Sequence, residues 1–155
     1  MKEMRRKDRA INKEESIAIL NNAEYGVLST VAKNGEPYGV PLSFCIIDNY
    51  IYIHCAIEGQ KIDNIKHNKS VSFCVVGRTE ILPDKFSTNY ESVIIAGKAE
   101  EVFSIDKQRG LEGLLYKYSP DFIEQGEKYI HSLSDETRVF KITIDHLSGK
   151  ARNTI

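Results

Sequence analysis

The chain has 155 residues, of which 41% are hydrophobic and 28% are charged, and its formal net charge is −1. This length suits one domain, and the composition excludes a chain that is disordered throughout. A net charge so close to zero gives no strong overall field to attract nucleic acid or an anionic membrane, and it argues against a broad nucleic-acid-binding surface.

The N-terminal arm, residues 1–10, carries five cationic side chains, those of Lys2, Arg5, Arg6, Lys7 and Arg9. It is read as a solvated arm, with anion or partner binding as the alternative. No apolar run follows it, so it does not resemble a signal peptide, and no stretch is long enough to span a membrane. The three cysteines, Cys45, Cys55 and Cys74, stand in strand-like runs typical of buried, reduced thiols. We therefore expect a cytoplasmic protein.

The first elements are predicted from local signals. Asn12 and Glu15 have the spacing of a capping box, which predicts a short helix ending near residue 22. Residues 25–31 have strand composition, and Asn34-Gly35 predicts a tight hairpin into a second strand over residues 37–47. These two strands should pair antiparallel.

Asp48-Asn49 tolerates positive φ and predicts a second hairpin, into the strand that begins at Tyr50. A short helix is expected around residues 61–67, followed by strands over residues 70–76 and 91–102. The segment between those strands, residues 77–90, is expected to be partly a loop that reaches away from the core.

The C-terminal third contains a predicted helical insert at about residues 104–133, where leucines and Tyr118 repeat at helical spacing. Alternating residues over 138–145 predict a sixth strand, and residues 146–155 are expected to form a polar tail. The pattern favours a single domain over residues 1–155 that is mainly β with helical additions, built as a six-stranded antiparallel barrel.

One stretch combines features of an anion site. A strand run ends at Glu58-Gly59, and Ile62 and Ile65 lie three residues apart, as on one face of a helix. Lys61 then falls in the first helical turn, where unpaired backbone N–H groups suit a phosphate. A simple strand-to-helix connection with a solvated lysine is the alternative.

His54 and Cys55 end the incoming strand and invite a metal or nucleophile interpretation. Adjacent strand residues point to opposite faces, so the two side chains are poorly placed to hold one ion or to act as a pair. The scattered glycines match neither a dinucleotide fingerprint nor a phosphate loop. We predict buried thiols and no metal site.

The order of four motifs resembles the FMN-binding split barrel of the pyridoxamine 5'-phosphate oxidase superfamily. They are Tyr25-Gly-Val-Leu-Ser-Thr, Gly35-Glu-Pro-Tyr-Gly-Val-Pro-Leu-Ser-Phe, Tyr50-Ile-Tyr-Ile-His-Cys-Ala-Ile-Glu-Gly-Gln-Lys-Ile-Asp-Asn-Ile and Asn68-Lys-Ser-Val-Ser-Phe. The opening Met4-Arg-Arg-Lys-Asp-Arg and the closing Ser148-Gly-Lys-Ala-Arg resemble its nitroimidazole-resistance (Nim) branch. The resemblance covers nearly the whole chain.

The resemblance implies a homodimer with FMN at the subunit interface, while the charge and composition already argue against a nucleic-acid or membrane partner. Carried over by position, the cofactor-binding residues are Val40, Pro41, Leu42 and Ser43 at the ring edge, His54, Cys55 and Ala56 beside the ring or ribityl chain, Gly59, Gln60 and Lys61 at the phosphate, and Lys150 and Arg152 from the tail. His54 matches a histidine that the Nim branch associates with activity, which makes it the predicted catalytic residue.

Three hypotheses follow. The first is an FMN-dependent oxidoreductase that passes electrons from NAD(P)H to a small acceptor such as a nitroaromatic. The second is a non-catalytic flavin- or haem-binding barrel, with His54 available as an axial ligand. The third is a barrel without a cofactor that acts through its dimer surface. Oxidation of pyridoxamine phosphate is disfavoured, because no arginine-rich substrate clamp can be matched.

Overall fold

The computed structural model describes residues 3–153, so the outermost residues of the predicted arm and tail, 1–2 and 154–155, lie outside it. The strands are β1 (Ala10–Ile11), β2 (Gly26–Val31), β3 (Pro37–Leu42), β4 (Phe44–Ile47), β5 (Tyr50–Cys55), β6 (Ser70–Leu82), β7 (Ser87–Val102) and β8 (Arg138–Arg152). The α-helices are α1 (Lys13–Asn22), α2 (Gln60–His67), α3 (Ser104–Tyr118) and α4 (Ile123–Leu133). No helix in this part of the chain is long and apolar enough to cross a membrane.

All eight strands belong to one antiparallel sheet. Its hydrogen-bonded order is β3-β2-β6-β7-β8-β5-β4, with β1 paired to β8 off this path. The two end strands, β3 and β4, are joined in the chain by Ser43 alone, so the sheet curls back on itself. It remains an open sheet, because the described pairings do not join β3 to β4. The prediction of a mainly β fold with helices is confirmed.

The expectation of six strands is wrong, because the described sheet has eight. Two differences in where strands begin and end account for the extra strands. The predicted strand 37–47 breaks at Ser43, where the chain leaves one edge of the sheet for the other. The end of the predicted arm forms β1, in which Ala10 pairs with Lys150 and Ile11 with Gly149. Both features depend on which strands lie side by side, and the local sequence does not contain that information.

The lengths of β6, β7 and β8 also differ from the predictions. The expected loop 77–90 continues the β6–β7 ladder past a bulge between Val76 and Thr79 and turns at Pro83–Lys85. The expected tail is strand as far as Arg152, because it pairs with β7. In each case, cross-strand hydrogen bonds supply order that polar composition had argued against.

The predicted helix cap and the predicted hairpin turns, which depend only on adjacent residues, are confirmed. Asn12 and Glu15 form a capping box at the start of α1, with hydrogen bonds of 2.8 and 2.9 Å. Asp48 and Asn49 adopt φ of 48° and 67°, as a tight hairpin between β4 and β5 requires. Gly35 has a φ of 88° in the β2–β3 hairpin.

Two apolar clusters stabilise the fold, one on each face of the sheet. The larger fills the concave interior, where Phe44 and Phe73 pack edge to face at 4.9 Å. The smaller lies between the sheet and α3, around the fully buried ring of Tyr52. Each fully buried large side chain contributes roughly 1.5–3 kcal/mol. Because β5 contributes residues to both clusters, the direction in which each of its side chains points is fixed.

Candidate functional site

The alternation of β5 decides where its last residues point. Ile51, Ile53 and Cys55 belong to the interior cluster, whereas Tyr52 packs toward α3. His54 falls on the α3 side by the same alternation, and its side chain is exposed there and borders a cavity. His54 and Cys55 are thus on opposite faces, as predicted. Cys55 is 8% exposed, and burial raises the pKa of its thiol.

The turn after β5 leads directly into the N-terminus of α2. Ala56 and Gly59 are exposed, and Gly59 adopts a φ of 142°, which L-residues rarely populate. The amides of Ile62 and Asp63 both donate to the Gly59 carbonyl, at 3.0 and 3.2 Å. No side chain caps this helix. In the described part of the chain the amides of Gln60 and Lys61 have no acceptor, so they are free to bind an anion.

Lys61 lies close enough to His54 to change its ionisation. Although His54 is exposed, partial desolvation of its ring lowers its pKa, and the positive charge of Lys61 lowers it further. The same charge opposes the raised pKa of Cys55. Among residues 3–153, Lys61 forms no salt bridge, so its charge is not neutralised by a neighbouring carboxylate. The neutral imidazole of His54 and the unneutralised charge of Lys61 therefore lie close together, at the end of β5 and the start of α2.

Arg138 holds the turn between β5 and α2 in place through a hydrogen bond to its backbone. It was not predicted as a site residue. Its Nε donates to the carbonyl of Ile57 at 2.7 Å, and its Nη1 pairs with the Glu101 carboxylate at 2.9 Å. Arg138 is the first residue of β8 and lies opposite Cys55. Only the β5–β8 register could have revealed this role, because 81 residues separate Arg138 from Ile57.

The predicted ring-edge residues on β3 divide between two faces. Val40 and Leu42 pack against the interior cluster, whereas Pro41 is exposed. Ser43 follows β3 and borders the same cavity as His54. Tyr118, the last residue of α3, fixes this corner: its hydroxyl accepts from the Phe44 amide at 3.0 Å and can donate to the Glu24 carbonyl at 2.7 Å. The α3 helix thereby holds Ser43 in place.

The cavity beside His54, here the α3–α4 cavity, has a volume of about 590 Å³. Its lining residues are Ser43, His54, Leu111, Leu114, Leu115, Tyr118, Ser119, Phe122, Gln125, Gly126, Tyr129, Ile130, Leu133 and Thr137. Most of this wall comes from the helical insert, to which sequence reasoning assigned no site residue. The apolar spacing of α4 indicates an amphipathic helix, but it does not indicate which element that helix packs against.

Lys150 and Arg152 lie in a second, separate group. His54 pairs with Val139 near the start of β8, and Lys150 is eleven residues further along that strand, roughly 35 Å away along its length. There Arg9 donates to the Tyr90 hydroxyl at 3.3 Å. Hydrogen bonding to Lys150, and secondarily to Arg9, lowers the pKa of Tyr90. A single chain does not bring this group to His54.

Solved proteins with little sequence in common share this fold. A candidate 5-nitroimidazole antibiotic resistance protein from Bacteroides thetaiotaomicron is 23% identical, with a TM-score of 0.79 over 92% of this chain and 86% of that chain. An FAD-binding protein from Mesorhizobium loti is 24% identical, with a TM-score of 0.66 and coverage of 94% and 98%. An FAD and haem binding protein from Mycobacterium smegmatis is 15% identical, with a TM-score of 0.78 and coverage of 92% and 72%. At these identities, the likeness establishes the fold alone.

Family membership comes from the sequence. A comparison with curated proteins gives no match. Residues 12–151 match the profile of the family described as pyridoxamine 5'-phosphate oxidase. The matched segment runs from the capping residue of α1 almost to the end of β8 and includes every predicted site residue except Arg152. The chain therefore belongs to the pyridoxamine 5'-phosphate oxidase family.

Proposed function

We propose that this protein is an FMN-dependent oxidoreductase that passes electrons from NAD(P)H to a small acceptor such as a nitroaromatic. One observation carries the proposal: Ser43, His54 and the Lys61-bearing start of α2 meet at one corner of a sheet that has this family's fold. The FAD-binding protein and the candidate resistance protein with the same fold support it.

The start of α2 fits the phosphate end of FMN. Two free amides and an unneutralised lysine supply donors and positive charge. A Cβ placed on Gly59 would meet nothing within 4 Å, so the backbone there is open to an approaching group. Hydrogen bonds to a phosphate are charge-assisted and therefore stronger than neutral ones. In this proposal Lys61, Gln60 and Gly59 hold the phosphate.

In this proposal, His54 forms a hydrogen bond to the electron acceptor. When bound, FMN would supply the two-electron redox chemistry that links NAD(P)H to the acceptor. Overall, one NAD(P)H and one proton reduce a nitro group to a nitroso group, with release of NAD(P)⁺ and water. Because its pKa is lowered, His54 is neutral at physiological pH and has one N–H with which to donate to an acceptor oxygen.

The proposed assembly is a homodimer. Lys150 and Arg152 lie too far along β8 to reach His54 of their own chain, so a role at the same cofactor requires a second copy. Within residues 3–153 neither forms a salt bridge, so no carboxylate of their own chain neutralises the two charges.

Absorption spectroscopy tests the proposal directly. The purified protein, incubated with FMN and desalted, should retain the two visible bands of a flavin, and acid release should return FMN. It should then oxidise NADPH anaerobically in the presence of a nitroaromatic. Retention of neither FMN nor FAD would refute the cofactor assignment. Retention of flavin without nitroaromatic turnover would refute the activity.

A haem-binding function is the second candidate. The fold is shared with an FAD and haem binding protein, and His54 presents a neutral imidazole beside an apolar cavity. Neutral imidazole is the form that ligates iron. A Soret band after haem addition, lost in His54→Ala, would favour this candidate over the flavoenzyme.

A further inference from the structure

The α3–α4 cavity has a polar side and an apolar side. Ser43 and His54 come from the ends of β3 and β5, and Thr137 immediately precedes β8. None of these three side chains has a hydrogen-bond partner within residues 3–153. The opposite wall is formed by α3 and α4 and consists mainly of leucines and aromatic rings.

The helical wall has the chemistry of an aromatic binding site. The rings of Phe122 and Tyr129 are 61% and 67% exposed, although both border the cavity. Close packing fixes the helices beneath them, since a Cβ on Gly126 would lie 2.1 Å from Leu115. Exposed aromatic faces on a rigid support favour stacking with a planar ring. The volume of the cavity lies within the range of small-molecule sites.

We propose that the α3–α4 cavity binds the electron acceptor as a planar aromatic molecule, with its ring against Phe122 and Tyr129 and an oxygen substituent toward His54 and Ser43. This inference rests on the proposed function and assigns its acceptor site. A small molecule fits better than a second copy of the chain. An apolar partner surface would leave Ser43, His54 and Thr137 without hydrogen bonds, and that loss of solvation is costly.

A fluorescence titration tests the site without relying on turnover. The chain contains no tryptophan, so Phe122→Trp introduces its only indole. Phe103→Trp is the matched control, because Phe103 is 64% exposed and does not border the cavity. Nitrobenzene should quench Phe122→Trp saturably and Phe103→Trp only in proportion to its concentration. Equal, non-saturating quenching of both variants would overturn the proposal.

A second pair of variants tests the aromatic wall. Tyr129→Ala should raise the nitrobenzene KM, and its dissociation constant in the Phe122→Trp background, by about threefold to tenfold, as expected for loss of one aromatic stacking partner. Tyr116→Ala makes the same change at a 57% exposed position outside the cavity and should leave both constants unchanged. Equal effects of the two substitutions would overturn the assignment.

The readouts separate this inference from the proposed function. Saturable quenching in a protein that retains no flavin would uphold the cavity and refute the flavoenzyme. If Tyr129→Ala instead retains flavin and ferricyanide reduction but loses nitrobenzene affinity, both proposals stand. Dissociation of a dimer in Tyr129→Ala, with no saturable quenching in Phe122→Trp, would show that a second copy covers the cavity and would overturn the proposal.

Discussion

At the scale of single residues, His54 should be needed for turnover and dispensable for folding. Its side chain is exposed on the α3 side of β5, while Ile53 and Cys55 beside it hold the strand in the core. We predict that His54→Ala lowers nitroaromatic turnover at least about tenfold, a lower bound set below the roughly 10²–10⁴-fold that a positioned acid or base contributes. Steady-state kinetics on the FMN-loaded protein measure this effect.

The same variant should keep its fold and most of its FMN affinity. Thermal denaturation and flavin titration provide the control, and His54→Gln tests whether a neutral hydrogen-bonding side chain restores part of the rate. A large fall in melting temperature with unchanged turnover would mean that His54 is a structural residue.

His54 should also make stability depend on pH. Partial desolvation of the ring and the charge of Lys61 lower the folded-state pKa of His54, so below neutral pH the unfolded chain binds more protons than the folded chain. The stability associated with neutral His54 is fully present above its unfolded pKa, about 6.5, and is lost as pH falls toward the folded value. Urea denaturation between pH 8 and pH 5 should show a shallower decline for His54→Gln. Parallel curves would contradict the prediction.

At the scale of elements, the N-terminus of α2 should distinguish FMN from riboflavin. Lys61→Ala should weaken FMN binding by about 1.5–3 kcal/mol, the size of a hydrogen bond to a charged group, and should affect riboflavin little. Fluorescence titration with each flavin measures the difference. Lys66→Ala, at an exposed position on the last turn of the same helix, is the control variant. Equal losses for the two flavins would make Lys61 a structural residue.

Elements were predictable where their cause is local. The capping box of Asn12 and the positive φ of Asp48 and Asn49 follow from the chemistry of a few adjacent residues. The break at Ser43 and the strand character of residues 77–90 follow from pairing with distant strands. Residues 77–90 have the composition of a turn or loop, and tertiary hydrogen bonding overrode it, whereas the strand-like composition of residues 37–47 gave no sign of the break.

The candidate site likewise has a part that could be predicted from local sequence and a part that could not. The run from His54 to Lys61 could be predicted as one site, because a strand end, a turn and a helix start place neighbouring residues together. The contribution of Arg138 depends on strand register, and that of Phe122 and Tyr129 depends on how α4 packs against α3. Neither relation is visible in a single sequence without the fold.

At the scale of the whole molecule, the convex face of the sheet predicts self-association. The register places Pro41, Val27, Cys74 and Ile94 in one row across β3, β2, β6 and β7. Ile94 is 41% exposed, and Val76 beside this row is 58% exposed. We predict a dimer at micromolar concentrations by light scattering, converted to a folded monomer by Ile94→Lys. A wild-type monomer with flavin still bound would contradict the prediction.

The length of β8 has a genetic consequence. If His54 of one chain and Lys150 and Arg152 of the other complete each site, two inactive variants should complement one another. A His54→Ala chain and a Lys150→Ala/Arg152→Ala chain carry their lesions in different halves of the site. Mixed dimers would then contain one intact site, and an equilibrated equal mixture should recover about a quarter of wild-type turnover, as twofold symmetry requires. A mixture no more active than its components would show that Lys150 and Arg152 do not complete the His54 site of the other chain.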